Sequence, residues 1–180
     1  MKGIINKGIK ELVIDRFGDD AWEKVLALAK CKESFFSVSD DYPDQMTLDL
    51  VEAACQVSGL SEDQVLFEFG RFWVTHTGVQ SYPSYFKLAG KNAREFLLNM
   101  DKVHVQVTKN VINVSPPRFG YEQLEDGRLL MHYTSERGFC SALRGLIVGV
   151  GDFFHEKLEV HETTCMKKGD PRCTMEVSFS

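Results

Sequence analysis

Apolar residues recur at helical spacing through the first half of the chain, whereas much of the second half alternates apolar and polar positions as strands do. A first helix is predicted over residues 3–17, with one apolar face: Ile5, Ile9, Leu12, Val13 and Phe17. Similar patterns predict helices over residues 21–31, 44–58 and 65–77, with N-terminal caps at Asp20 and at residues 61–64. Gly70 lies inside the last of these helices at a cost of ~1 kcal/mol against alanine. A close backbone approach or a hinge would explain it.

A break at residues 82–86, Tyr-Pro-Ser-Tyr-Phe, indicates a subdomain boundary. A helix over residues 92–108 follows, and its apolar stripe includes Met100 and His104; prolines 116 and 117 come after it. Strands are predicted over residues 118–124, 128–136, 158–166 and 173–179, and a helix over residues 138–156. We therefore expect one α+β domain over residues 1–180. A helical N-terminal subdomain, 1–82, packs on a C-terminal subdomain, 83–180, with a small antiparallel sheet.

Composition and charge argue against several classes of function. The net charge is −5 and no run of lysine or arginine stands out, which argues against a nucleic-acid partner. No apolar run reaches the ~18–20 residues that a membrane span needs. The N-terminus lacks the apolar core of a signal peptide, so we expect a cytoplasmic protein. In that reducing compartment its five cysteines are thiols or metal ligands.

Tyr133, Ser135 and Arg137 form an anion clamp in the sequence, because residues at i, i+2 and i+4 of an extended strand point to one face. Two hydroxyls and a guanidinium suit a ligand that carries carboxylates or phosphates. His104 lies upstream on an apolar helix face, where a histidine is more often a core residue than a ligand. Together, a buried imidazole and an anion clamp match the needs of haem: one axial ligand and a grip on two propionates.

Several further motifs stand in one order and spacing with this clamp: Met1-Lys2-Gly3, Pro83-Ser84-Tyr85-Phe86, Met100-Asp101-Lys102-Val103-His104 and Pro116-Pro117-Arg118. In this combination the chain resembles the H-NOX family, the haem-nitric oxide/oxygen-binding domains that also form the sensor part of soluble guanylate cyclase. The resemblance covers essentially the whole chain. It implies haem b (protohaem IX) between the two subdomains.

By this resemblance His104 is the proximal iron ligand, and Tyr133, Ser135 and Arg137 bind the propionates. Pro117 matches the family proline that presses on the porphyrin. The distal positions are Ile9, Trp73 and Ala142, where oxygen-binding relatives carry a tyrosine with polar or aromatic support. The Trp73 indole retains a donor, but we interpret it as apolar lining.

An apolar distal side favours NO and CO at ferrous haem, with O₂ excluded, because bound O₂ needs a hydrogen-bond donor more than NO does. The resemblance implies signalling without catalysis: the Fe–His104 bond breaks, and the subdomains shift about a hinge near Gly70. The output passes to a separate effector, a sensor histidine kinase or a cyclic-di-GMP enzyme. A haem enzyme is disfavoured, because no distal acid–base pair is present.

Three cysteines and a histidine in the C-terminal part form a second constellation: Cys140, His161, Cys165 and Cys173. Three thiolates and an imidazole complete the tetrahedral shell of a structural Zn²⁺ site, and some bacterial H-NOX proteins hold zinc in this way. The alternative is a set of free thiols, which is our interpretation of Cys31 and Cys55. These cysteines also support an alternative function for the chain: a zinc/thiol redox-sensing domain that binds a small molecule.

Overall fold

The computed structural model describes residues 1–108 and 117–180. Its N-terminal part contains four helices: α1 (Gly3–Phe17), α2 (Asp19–Leu28), α3 (Asp44–Ser58) and α4 (Glu62–Phe72). Ser61 caps α4 in a reciprocal capping box, since its hydroxyl accepts from the Gln64 amide and the Gln64 side chain accepts from the Ser61 amide. Asp20 is not a cap: α2 begins one residue earlier, after Gly18 at φ 82°.

The helix predicted over residues 65–77 changes its hydrogen-bond pattern partway. After α4, a π-helical segment covers Trp73–Gly78 and leads into the short α5 (Val79–Ser81). The wide turn folds the Trp73 ring over Gly78, where an added Cβ would lie 2.6 Å from the indole. Such π-helical insertions are frequent at functional sites.

The predicted break at residues 82–86 is a short helix, α6 (Pro83–Ala89), with proline at its first position, where a proline costs no hydrogen bond. The long helix α7 (Ala93–Thr108) follows it. Pro116 lies outside the described residues.

A four-stranded antiparallel sheet completes the fold, with β1 (Arg118–Gln123), β2 (Leu129–Thr134), β3 (Leu158–Thr164) and β4 (Cys173–Phe179) in the order β1-β2-β4-β3. The helix α8 (Cys140–Phe154) connects β2 to β3, and a 3₁₀ turn, Met166–Lys168, lies between β3 and β4. The predicted α+β class, helices with a small antiparallel sheet, is confirmed. Strand β2 ends two residues earlier than predicted.

Two hydrophobic clusters form the core. The sheet-side cluster joins the sheet, α7 and α8, and also takes in Val74 and Phe86. The helical cluster joins α1 to α4 and takes in Ala142 from α8. Trp73 packs against both clusters. In the described part of the chain, no helix has the length and apolar character needed to cross a bilayer.

Candidate haem and metal sites

His104 lies on α7, where burial lowers its pKa, and a bond to the Met100 carbonyl offsets this only in part. Its imidazole is therefore neutral near pH 7. Nδ1 lies 2.8 Å from the Met100 oxygen. A carbonyl can only accept, so Nδ1 carries the proton and Nε2 keeps its lone pair. Metal-binding histidines in proteins share this arrangement, in which the second nitrogen fixes the tautomer and the ring orientation.

Asp101, which the sequence did not single out, holds the His104 region of α7 against the sheet. Its carboxylate accepts from the Phe119 amide at 3.4 Å, and its own amide donates to the Tyr121 hydroxyl at 3.2 Å. The Phe119 ring in turn packs on His104, with centroids 5.1 Å apart. The orientation of the imidazole is therefore coupled to β1.

The clamp residues meet where β2 ends. Tyr133 is buried and is the last but one residue of the strand, whereas Ser135 and Arg137 lie in the turn that follows. The predicted single strand face is therefore wrong for the last two residues. The turn still groups all three, since the Ser135 hydroxyl accepts from the Arg137 amide at 3.3 Å and its side chain is near enough to Tyr133 to offset part of the rise that burial causes in the pKa of that phenol. Burial raises the pKa of Tyr133, which keeps its hydroxyl as a donor.

Arg137 makes one contact that its position in the sequence did not suggest. Its Nε donates to Oδ2 of Asp44, the first residue of α3, at 2.7 Å. Asp44 and Arg137 are far apart in the sequence and belong to opposite halves of the molecule, so no sequence pattern predicts the pair.

The three predicted distal residues lie in or beside the helical cluster: Ile9, Trp73 and Ala142. Trp73 brings a polar atom there, because its Nε1 is buried and has no hydrogen-bond partner among the residues that the structure describes.

The larger of the two described cavities, about 410 Å³, opens between α1, α3, α4 and α8 and is lined by none of the predicted haem residues.

The predicted haem residues divide between the two hydrophobic clusters. Tyr133 belongs to the sheet-side cluster and Ile9 and Ala142 to the helical cluster, while half-buried Pro117 directly precedes β1. A neutral imidazole with a fixed tautomer and a hydroxyl–guanidinium group are the donors that haem iron and its propionates require. The residues present therefore fit haem.

Three thiols gather where α8 begins and where β3 turns into β4. The sulfur atoms of Cys140, Cys165 and Cys173 and a carboxylate oxygen of Glu162 all lie within 4.8 Å of one another. Cys140 and Cys165 are 3.6 Å apart, and the Met166 amide donates to Cys173 Sγ at 3.3 Å. Burial and the neighbouring thiols raise the pKa of Cys140 to about 12, and burial also raises that of Cys173.

His161, the predicted fourth ligand, is exposed and outside this group. The cause is a β-bulge between Glu162 and Thr164, which shifts the register of β3 against β4. Residues 161 and 165 would share a face of a regular strand, but one extra residue reverses the alternation and brings Glu162 to the cysteine side. Cys31 and Cys55 are half-buried and separate from the group.

Comparisons with known proteins agree with this geometry. The chain is 29% identical over 151 residues to soluble guanylate cyclase gcy-32 of Caenorhabditis elegans, which is 82% of this chain and 22% of the relative. It is 25% identical over 156 residues to soluble guanylate cyclase 89Da of Drosophila melanogaster, which is 86% of this chain and 23% of the relative. The chain thus spans about a fifth of the length of these relatives.

Among solved structures, an H-NOX protein from S. oneidensis in the Fe(II)NO state superposes with a TM-score of 0.91 at 20% identity, over 100% of this chain and 99% of that one. An oxygen-binding H-NOX domain, solved as its oxygen complex, gives a TM-score of 0.87 at 27% identity, over 100% of this chain and 95% of that one. A sequence profile described as haem-NO-binding (HNOB) matches residues 2–162. The chain belongs to this haem-NO-binding family, the H-NOX domains.

Proposed function

We propose that this H-NOX domain is a sensor of NO and CO that excludes O₂ and acts on a separate effector protein. The observation that carries the proposal is the neutral His104, which is hydrogen-bonded through Nδ1 to Met100 and shares the Phe119 ring as a neighbour with Tyr133 of the clamp. His104 would hold haem through its iron, and ferrous haem would supply the position at which a diatomic gas binds.

The exclusion of O₂ rests on the distal residues. Ile9 and Ala142 offer no donor, and the indole N–H of Trp73 is the single donor among the three predicted distal side chains. Bound O₂ carries partial negative charge and depends on a donor more than NO does. We propose that the Trp73 ring lines the site as an apolar surface.

Signal output is proposed to begin when His104 is released from the iron. Asp101 and Phe119 connect the helix of His104 to β1, so a displacement of the imidazole reaches the sheet through the Asp101–Phe119 hydrogen bond. Residues of α8 pack in both hydrophobic clusters, so a shift of the sheet-side cluster would also act on the helical cluster through α8. We propose that the two halves of the molecule then move relative to each other. A sensor histidine kinase or a cyclic-di-GMP enzyme is the proposed receiver.

Absorption spectra of the reduced, haem-loaded protein test the proposal. We expect the Soret band to shift with NO and with CO and to stay unchanged in air-saturated buffer. A stable ferrous–O₂ spectrum would contradict the proposed selectivity. The variant His104→Gly should bind haem axially only when imidazole is added, and protein-derived axial ligation in that variant would overturn the assignment of His104.

A second candidate function, a structural Zn²⁺ site, is supported by the three clustered sulfurs and their carboxylate neighbour. Burial raises the pKa values of Cys140 and Cys173 and so disfavours their thiolates, whereas a divalent cation would stabilise thiolates directly. The Met166 amide already donates to Cys173, as backbone amides do around metal thiolates. Elemental analysis of reduced protein should give one zinc per chain, and iron without zinc would exclude the site.

A further inference from the structure

Asp44 is the acidic partner of the propionate clamp and comes from the other half of the molecule. It is the first residue of α3, and Arg137 follows β2. One carboxylate oxygen accepts from Arg137 Nε at 2.7 Å, and the other accepts from the N-terminal ammonium at 2.7 Å. Asp44 is thus held between two cations, and its bond to the N-terminal ammonium limits how far its carboxylate can move with Arg137.

We infer that Asp44 is a positioning residue that fixes the Arg137 guanidinium for one carboxylate of bound haem. This inference rests on the proposed function. A guanidinium is a planar fork with five N–H donors, of which Nε contributes one. A carboxylate held at Nε fixes the plane of the fork, and this orientation sets where the four donors on the two Nη atoms point.

Pre-orientation matters here because an unrestrained arginine side chain loses rotamer entropy when it binds a partner. If Asp44 has already restrained the guanidinium, a haem carboxylate meets an ordered partner and less entropy is lost on binding. The pKa of Asp44 supports this role: burial raises it, but the bonds from the N-terminal ammonium and Arg137 outweigh burial and lower it overall. Asp44 is therefore ionised near neutral pH.

The opposite role, competition with haem, gives the opposite result. A carboxylate bound to Arg137 could compete with the haem carboxylate for the same guanidinium. Removing a competitor would slow haem loss, whereas removing a positioning residue would speed it.

The test is the rate of haem transfer to excess apomyoglobin from the full chain. We expect Asp44→Ala to release haem roughly 3- to 10-fold faster than the wild type, because the charge-assisted bonds of Arg137 become poorly aligned. Asp44→Asn should stay within about twofold, since its amide oxygen still accepts from Nε. Asp49→Ala is the matched control: Asp49 lies on the same helix, bonded to Gln45, and should leave the rate unchanged.

A double-mutant cycle separates positioning from a general loss of stability. With Arg137→Ala already present, Asp44→Ala should add little further acceleration if Asp44 acts through Arg137. Equal acceleration in both backgrounds, or haem release from Asp44→Ala that is no faster than from the wild type, would overturn the inference. A wild-type chain that binds no haem would overturn the proposed function itself, a result distinct from both.

Discussion

The carbonyl oxygen of Ala142 on α8 lies 2.0 Å from the point where a Cβ atom on Gly70 of α4 would be. The relationship is reciprocal, since a Cβ on Gly145 of α8 would lie 1.9 Å from the Phe67 carbonyl oxygen on α4. The two helices therefore touch backbone to backbone. Of the two explanations for Gly70, the structure supports the close approach, and this contact fixes the position of Ala142, one of the predicted distal residues.

The first prediction concerns this contact. Gly70→Ala should lower the free energy of unfolding by about 1–3 kcal/mol, because the added methyl forces α4 away from α8. Urea unfolding measures the change. Gly120→Ala is the control, since its Cβ would meet only His132 at an ordinary 3.6 Å. Equal stability of the Gly70→Ala variant and the wild type would show that the helices are further apart.

The second prediction concerns the indole of Trp73. Trp73→Phe keeps an aromatic surface but removes the buried Nε1 donor. If Trp73 serves as apolar lining, the C–O stretching frequency of the ferrous CO complex should be the same in the variant and the wild type. An upward shift of that frequency in the variant would identify the indole as a donor to the bound gas and weaken the case for O₂ exclusion.

The third prediction is a dependence of stability on pH through Asp44. Its pKa in the folded chain lies below the usual 3.8, so the ionised carboxylate stabilises the fold above that value, and this contribution is lost as pH falls through the folded pKa. The charged groups that face Asp44 are the Arg137 guanidinium and the N-terminal ammonium. Between about pH 5 and pH 3 the wild type should therefore lose more unfolding free energy than Asp44→Asn. Parallel losses in the two proteins would contradict the shift.

The fourth prediction distinguishes two candidates for the fourth zinc ligand. Because the bulge in β3 places Glu162 beside the sulfurs, Glu162→Gln should weaken zinc retention against a chelator roughly 10-fold or more, while His161→Gln should leave it unchanged. The two substituted residues are adjacent on one strand, so each variant serves as the control for the other. The reverse order would show that β3 changes register when the metal binds.

Local signals in the sequence predicted local structure well. Helix α3 and strand β4 have the predicted starts, because each depends on neighbouring residues. The cap predicted over residues 61–64 is the capping box at Ser61, but α4 begins at Glu62, three residues earlier than predicted. The strand carrying Tyr133 was predicted too long. Gly138, in the turn beyond Arg137 at φ 65°, was read as the first residue of the following helix, which instead begins at Cys140.

The sequence does not predict contacts between residues that are far apart in the chain. The bond between Asp44 and Arg137 joins segments that are 93 residues apart in the sequence, and the bond between Phe119 and Asp101 joins residues that are 18 apart. The exchange of His161 for Glu162 depends on one unpaired residue in β3, for which the sequence gives no warning. Alternation rules assume regular strands, and the bulge breaks that assumption.

The π-helical segment has a consequence for which residues face the sheet. Val74 and Val79 both pack on the sheet-side cluster although they are five positions apart. In a regular α-helix that spacing would place them about 140° from each other, on different faces. A π-helical turn, with its i→i+5 hydrogen bonds, holds more residues than an α-helical turn, so it brings these two positions closer to one face and lets one helix keep a continuous apolar edge past the Trp73 indole. Deleting one residue from this segment would restore α-helical geometry and break that edge.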